Sequence, residues 1–242
     1  MSHFAVLVLH EEDQSIEELL APYNENLKTD PYMKFTHAQV IDAMREELSS
    51  EDFEKMSEDE IIKEACDWYG CTLDDDGDLI STYNQYAKWD YWVVGGRFSG
   101  LFPIIPSAVE GYHGSEYVDE AFVRHIKWYN PLDEETKQEY IKWWSVNVEG
   151  EPGEKDRYCF WKPEYYKERY KDVETYIKTK ETFCCHAVVT PDGIWHEPSE
   201  MGWFGCTDGD PADELEWDLH FKENFIDTAD FDCVATIVDC HI

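Results

Sequence analysis

Apolar runs near both ends of the chain predict buried strands. Phe4 to Leu9 is a continuous hydrophobic run, and Cys233 to His241 has the same character. Runs of this length are typical of strands covered on both faces. Between them, Phe183 to Thr190 and Ile194 to His196 flank the turn Pro191-Asp-Gly193, which predicts a hairpin. Together these segments predict a β-sheet.

Hydrophobic side chains at a period close to 3.6 residues predict amphipathic helices elsewhere in the chain. Thr36 is a cap for one helix, which carries Val40, Met44 and Leu48 on one face. Ser57 begins the capping box of a second helix. Further helices are predicted at residues 116 to 128, 133 to 144, 163 to 179 and 210 to 226.

This mixture of elements predicts an α+β fold, a mainly antiparallel sheet with helices packed against it. We expect one domain, 1 to 242, with residues 103 to 182 as a helical, aromatic-rich insertion or subdomain. A ferredoxin-like arrangement would place the first and last strands side by side and antiparallel. His3 would then approach Cys240 and His241.

Residues 81 to 100 give the clearest indication of a site. Trp89 to Val94 reads as a strand with aromatic side chains on both faces, and it leads into Gly95-Gly96 and Arg97. Backbone amides beside a guanidinium can hold a phosphate or a carboxylate. Alternatively, the glycines form a bulge and Arg97 pairs with Asp90 inside the fold. The candidate ligand-binding residues are Trp89, Asp90, Tyr91, Gly95, Gly96, Arg97 and Ser99, with Glu200 and Trp203 from a second glycine-rich loop.

The charge balance limits the classes of partner. The chain has 54 acidic and 20 basic residues, a formal charge of -34, whereas residues 81 to 100 hold one acid against two bases. Direct binding to nucleic acid is not expected, because phosphate contacts need clustered Lys and Arg. The acidity has three explanations: a surface that keeps the protein dispersed, attraction to a basic protein, or a salt-adapted source.

The sequence indicates neither a cofactor nor a strong metal site. Asp74 to Asp78 lacks the ligands of an EF-hand loop, and the eight cysteines include no C-x-x-C pair. His3, Cys240 and His241 are weak metal candidates. They are weak because alternation along a strand directs Cys240 and His241 to opposite faces.

The amino terminus predicts a cytoplasmic location. It lacks the basic region and the small-residue cleavage site of a signal peptide, so reduced thiols are expected. No apolar run approaches the roughly 18 residues that a membrane span requires, and no membrane partner is therefore expected.

Five motifs follow one another in a fixed order along the chain. They are Met1-Ser-His-Phe-Ala-Val-Leu-Val8, Leu20-Ala-Pro-Tyr-Asn-Glu-Asn26, Ser81-Thr-Tyr-Asn84 with Lys88-Trp-Asp-Tyr-Trp92 and Gly95-Gly-Arg97, Glu200-Met-Gly-Trp-Phe-Gly205, and Val238-Asp-Cys-His-Ile242. With these motifs the chain resembles a family of uncharacterised proteins encoded by bacteriophages and prophages. The resemblance spans both ends and the centre of the chain, although Phe98 and Phe204 stand where relatives are expected to have Trp. It implies a phage accessory protein that acts in the bacterial cytoplasm.

Three functions of different classes follow from these observations. The first is binding of a basic host protein, a factor in defence or nucleic-acid processing, through acidic surfaces. The second is binding of a small anionic ligand such as a nucleotide by Arg97 and the Gly95-Gly96 amides. The third is a hydrolase or transferase that uses Asp90, Glu200 or a histidine as acid or base. Binding is favoured over catalysis, because no nucleophile or metal site has a recognised spacing.

Overall fold

The chain folds into two compact units. The larger unit combines Met1–Ala21 with Lys88–Ile242, and the smaller is Pro22–Ala87. Residues 103 to 182, expected from the sequence to be a helical insertion in a single domain, fall within the larger unit, and the domain assignment itself stays a prediction. The computed structural model describes residues 2 to 108, 114, 116 to 159, 161 to 199 and 209 to 242.

The secondary structure alternates between short strands and helices. The strands are β1 (His3–His10), β2 (Tyr32–Phe35), β3 (Thr72–Leu73), β4 (Leu79–Ser81), β5 (Tyr91–Val94), β6 (Phe102–Pro103), β7 (Tyr117–Val118), β8 (Glu120–Phe122), β9 (Ala187–Val189), β10 (Trp195–His196) and β11 (Val234–His241). The helices are α1 (Ile16–Leu20), α2 (His37–Glu47), α3 (Ser50–Lys55), α4 (Glu58–Tyr69), α5 (Glu134–Trp144), α6 (Pro163–Tyr170), α7 (Val173–Glu181) and α8 (Pro211–Phe221).

A mostly antiparallel sheet forms the centre of the larger unit. Its strand order is β10-β9-β1-β11-β5, and β8 also pairs with β11. The predicted α+β class is confirmed. The first and last strands are antiparallel neighbours in register from His3↔His241 to His10↔Val234, which confirms the predicted approach of His3 to His241. Because β5 and β8 both pair with β11, the sheet extends beyond the four strands of a ferredoxin-like unit.

The apolar runs explain why β1 and β11 lie at the middle of this sheet. Every residue of β11 is buried, as are Phe4 to His10 of β1, because both faces of these strands are covered. One face contributes Ala5, Leu7 and Ile237 to the main core. Phe102, Trp128 and Phe221 pack in the same core. This core holds the strand ends in fixed register.

The smaller unit packs helices α2, α3 and α4 with a three-stranded sheet, β2-β4-β3. The predicted caps are confirmed, since both Thr36 and Ser57 form capping boxes. The acidic segment from Asp74 to Asp78 is a turn between β3 and β4. In this turn, Asp74 Oδ1 accepts hydrogen bonds from the backbone amides of Asp76 (3.0 Å) and Asp78 (2.9 Å).

The helix predicted at residues 116 to 128 is wrong. This segment contains β7, β8 and a 3-10 turn at Val123–His125, because β8 pairs with β11 in the central sheet. The helices predicted from 133 and from 163 are confirmed, but the second breaks at Lys171, where φ is 66°. Tyr140, Trp143, Tyr166, Tyr170 and Tyr176 pack around Trp144 in a separate aromatic cluster. Within the described residues, the helices are too short or too polar to cross a membrane.

Candidate functional site

Two histidines lie side by side where β1 and β11 end. His3 and His241 are directly opposite in the register, and Tyr91 of β5 is opposite His241 on the other side. Residues opposite one another in antiparallel strands share a face, so the three rings form a row across the sheet. The backbones of Ser2 and Ile242 extend the pairing by two hydrogen bonds of 3.1 and 3.2 Å. We define the sheet-end site as His3, Asp90, Tyr91, Arg97, Asp239 and His241.

Asp239 orients the first histidine. His3 Nδ1 donates to Asp239 Oδ1 over 2.9 Å, and the amide of Arg97 donates to Asp239 Oδ2, also over 2.9 Å. Asp239 is only 2% exposed. A buried carboxylate is costly unless it is paired and hydrogen-bonded, and here both oxygens have donors. The single carboxylate thus fixes the histidine ring and the backbone of the arginine.

Asp90 orients the second histidine. His241 Nδ1 donates to Asp90 Oδ1 over 2.6 Å, and the amide of Asp90 donates to the carbonyl of His241 over 2.9 Å. The His241 side chain is 8% exposed, whereas that of Asp90 is 32% exposed. Asp90 therefore pairs with His241 and not with Arg97, so the internal Asp90–Arg97 pair considered from the sequence does not form.

The aromatic rings of the site contact one another. The ring centroids of His3 and His241 are 5.0 Å apart, and that of Tyr91 is 5.1 Å from His241. Because a carboxylate only accepts hydrogen bonds, the hydrogen of each neutral imidazole is on Nδ1. Nε2 of each ring is then an acceptor, and among the described residues it has no hydrogen-bond partner.

The Gly95-Gly96 bend closes over the carboxylate of Asp239. Gly95 has φ 69° and Gly96 has φ 53°, a region that residues other than glycine rarely adopt. A Cβ on Gly96 would lie 2.5 Å from Asp239 Cβ, and one on Gly95 would meet the carboxylate of Asp119. The Gly95 amide donates to the carbonyl of Ile237 over 2.9 Å. It is therefore engaged within the sheet, and Arg97 remains as the donor for an external anion.

Arg97 supplies the cationic side chain of the site. Arg97 is exposed, and its side chain has no ion-pair or hydrogen-bond partner among the described residues. A guanidinium presents a planar set of donors that matches a phosphate or a carboxylate. Since the backbone of Arg97 is held by Asp239, the side chain starts from a fixed point beside His3.

The other predicted site residues have different positions. Trp89 is buried, 6% exposed, and its indole donates to the carbonyl of Leu20 over 3.1 Å, so it is a core residue. Ser99 donates to Asp119 Oδ2 over 3.0 Å and helps to hold the bend. Glu200 and Trp203 lie outside the described residues.

The weak metal candidates His3, Cys240 and His241 do not point toward one common position. Cys240 alternates with His241 along β11 and lies on the opposite face, where burial raises the pKa of its thiol. His3 and His241 each use Nδ1 for a carboxylate. Within the part of the chain that the structure describes, no group of three or more His, Cys, Asp or Glu side chains is placed to hold a metal ion.

Sequence reasoning missed Asp239, which holds both the histidine and the bend. The available signal was a single acid within the apolar run from Val234 to His241, since a charge is rarely buried without a partner. A second missed pair is Lys88 and Glu197, with Nζ and Oε1 2.6 Å apart. Burial would raise the pKa of Glu197, but contacts with His186, Lys88 and Trp195 outweigh it and hold that pKa below its ordinary value.

The sheet-end site thus combines two carboxylate-oriented imidazoles with an exposed guanidinium. Imidazoles that carry hydrogen on Nδ1 can accept a proton at Nε2 or, when protonated, donate one there. The arrangement can therefore bind an anion and exchange protons with it. No family model matches this chain, and neither a curated protein nor a solved structure is significantly similar to it.

Proposed function

We propose that the sheet-end site binds a small ligand that carries a phosphate group. The observation that supports this most is the meeting of two His–Asp pairs, each with one ring nitrogen free among the described residues, beside the exposed Arg97. Arg97 supplies charge-assisted donors for the phosphate oxygens. Protonated His3 and His241 add one N–H donor each at Nε2.

The central segment is less acidic than the whole chain, although the sheet-end site itself holds Asp90 and Asp239 beside Arg97. Residues 81 to 100 hold one acid and two bases, whereas the chain carries -34. At physiological salt, exposed charges more than about 8 Å away are largely screened. Asp90 and Asp239 are already paired with histidines, which reduces their repulsion of a bound phosphate.

Replacing Arg97 with alanine is expected to weaken phosphate-ligand binding by about ten- to a hundredfold, because hydrogen bonds to a charged group contribute about 1.5 to 3 kcal/mol. The fold should be retained, since the Asp239 contact uses the backbone amide, which the substitution keeps. The measurement is calorimetric titration with inorganic phosphate and with nucleoside mono-, di- and triphosphates. Arg157→Ala is the matched control, because Arg157 is also exposed and lies over the ring of Tyr158 instead.

Two results would contradict the proposal. One is the absence of binding for every phosphate compound in the panel. The other is binding that Arg97→Ala and Arg157→Ala weaken equally, which would indicate a general response to the loss of one positive charge. An unfolded Arg97→Ala protein would show that the arginine side chain is a structural element and would also overturn its assignment to the ligand.

A second proposal concerns the acidic face of the smaller unit. Residues 42 to 67, which include α3 and most of α2 and α4, carry eleven acidic residues, all exposed, against three basic ones. Trp68 is 56% exposed, and the i, i+4 spacing places it on one face of α4 with Glu60 and Glu64. Exposed tryptophans are frequent anchors of protein interfaces. In a phage accessory protein, this face would engage a host protein with a basic surface.

Neutralising two of these charges, Glu60→Gln with Glu64→Gln, is expected to weaken binding of an arginine- and lysine-rich peptide severalfold at low salt. Glutamine at position 60 keeps the acceptor that the capping box of α4 requires. The difference should shrink as salt rises, because the charges are exposed and screened. Fluorescence anisotropy at about 50 and 300 mM salt measures both effects. Glu164→Gln with Glu168→Gln is the matched control, since these exposed acids have the same spacing on α6 of the larger unit. An equal loss in both variants would show that peptide binding depends on total charge and not on the acidic face.

A further inference from the structure

We infer that His3 and His241 act as a general acid and base pair, and that the sheet-end site hydrolyses a phosphate ester of the ligand it binds. This inference rests on the proposed binding of a phosphate-bearing ligand and adds a reaction to it. It assigns roles to the two His–Asp pairs, His3 with Asp239 and His241 with Asp90.

The hydrogen-bond pattern separates these two histidines from a structural one. His10, at the other end of β1, uses both ring nitrogens: Nδ1 donates to the carbonyl of Glu11 (2.8 Å), and Nε2 pairs with Thr236 Oγ1 (3.0 Å). In His3 and His241, only Nδ1 has a partner among the described residues. A fully satisfied ring is sufficient to hold a strand end. Two neighbouring rings that each keep Nε2 free are suited to proton transfer instead.

The carboxylates fix which nitrogen reacts. Asp90 and Asp239 each accept from Nδ1, so both rings present Nε2 as the exchanging atom. A base held in this way by a third, orienting group is the general arrangement of acid–base sites. Asp90 and Asp239 are positioning residues, because they act through the imidazoles.

The two rings are close enough to serve one reacting group. Their centroids are 5.0 Å apart at an interplanar angle of 68°, so with a phosphoryl group beside both, the attacking water can give a proton to one ring and the leaving alcohol oxygen can receive a proton from the other. Arg97 would bind the phosphoryl oxygens and stabilise the charge that develops on them. Tyr91, which is 47% exposed, forms one wall beside the rings of His3 and His241.

The reaction balances with water as its only co-reactant. The neutral imidazole takes a proton from a water molecule at Nε2 as the water oxygen bonds to phosphorus. The phosphorus–oxygen bond to the alcohol then breaks, and the alcohol oxygen takes a proton from Nε2 of the protonated imidazole. Water has been added across the ester bond, and the rings have exchanged protonation states. Proton exchange with solvent restores them.

The test measures hydrolysis by the 242-residue chain. With bis(4-nitrophenyl) phosphate as the substrate, absorbance detects the released 4-nitrophenolate. With the nucleotides that bind in calorimetry, phosphorus-31 NMR detects the products. His3→Asn and His241→Asn are the variants, because the asparagine amide keeps a donor near the Nδ1 position and removes Nε2. Each should lower kcat by about a hundredfold or more, with a smaller loss of ligand affinity because one Nε2 donor to the phosphate is removed. His220→Asn is the matched control, since His220 contacts Glu216 and Glu223 on the surface of α8 and should behave as wild type.

Asp90→Asn tests the same inference if a histidine variant fails to fold. The asparagine amide can present its N–H₂ group to His241 and favour hydrogen on Nε2, the wrong tautomer for a base. We expect a lower kcat with unchanged KM, and a purely structural Asp90 would not produce this separation. Rescue of activity by Asp90→Glu would support the positioning role.

The outcomes distinguish the proposed phosphate binding from the inferred hydrolysis. Absence of phosphate binding in the wild type contradicts the proposed function itself. Binding without hydrolysis, or hydrolysis that survives both His3→Asn and His241→Asn, overturns only the acid–base inference. Loss of hydrolysis in these variants but not in His220→Asn supports it.

Discussion

Gly96→Ala is expected to lower the free energy of unfolding of the larger unit by about 2 to 5 kcal/mol. Two costs add. A residue with a Cβ in the left-handed region costs about 1 to 2 kcal/mol, and Gly96 has φ 53°. The added methyl would lie 2.5 Å from Asp239 Cβ. Overpacking of this kind costs about 1 to 3 kcal/mol more. Denaturant unfolding followed by tryptophan fluorescence measures the change.

Gly150→Ala measures the cost of a Cβ at positive φ without a close contact to another side chain. Gly150 lies in the same unit and has φ 84°, but a Cβ there would have no atom within 4 Å. This variant should lose only about 1 to 2 kcal/mol. Equal losses in the two variants would contradict the close packing of the Gly95-Gly96 bend on Asp239.

Asp239→Ala is expected to destabilise the larger unit by about 2 to 6 kcal/mol, because each of its two donors that loses its acceptor costs about 1 to 3 kcal/mol, and the first of these is Nδ1 of His3. The substitution also removes the acceptor of the Arg97 amide. Ligand affinity should also decrease, since the His3 ring and the backbone of Arg97 both lose the hydrogen bond that positions them. Chemical denaturation and calorimetric titration measure the two effects.

A double-mutant cycle separates the interaction energy of His3 and Asp239 from the energy of the other contacts of Asp239. If His3 and Asp239 stabilise each other, the double variant His3→Ala with Asp239→Ala should lose less than the sum of the single losses. Asp192→Ala is the control, because Asp192 is exposed in the turn between β9 and β10. Strict additivity in the cycle would contradict an energetic link between His3 and Asp239.

The parts of the fold that the sequence predicted well have strong local signals. Continuous apolar runs located β1 and β11 because strands covered on both faces have no polar side to interrupt them. Thr36 and Ser57 located the starts of α2 and α4 because their side chains satisfy amides that a helix leaves free.

The errors arise where contacts distant in sequence decide the structure. Residues 120 to 122 form β8 because they pair with residues 234 to 236 of β11, more than 100 positions away. Local spacing cannot reveal such a pairing. Pro22–Ala87 forms its own compact unit because its helices and strands pack with one another.

The sheet-end site could be predicted only in part, because its contacts join residues that are distant in the sequence. The central motif contains Asp90, Tyr91 and Arg97, whose role in ligand binding stays a prediction, and topology predicted the approach of His3 to His241, which the strand register confirms. The partner of each histidine depends on the strand register, which hydrophobic patterns do not determine to a single residue. Asp239 was missed because its two donors, in His3 and Arg97, lie 236 and 142 positions away from it in the sequence.

Nitrogen-15 NMR of the nine histidines during titration with a phosphate ligand tests the central claim most directly. His3→Asn and His241→Asn assign the two imidazoles of the site. Our account predicts that the Nε2 signals of His3 and His241 shift together as the ligand saturates and that His10 and His220 stay unchanged. In Arg97→Ala, the shift should require about ten to a hundred times more ligand. Saturable binding that leaves the Nε2 signals of His3 and His241 unmoved would contradict it.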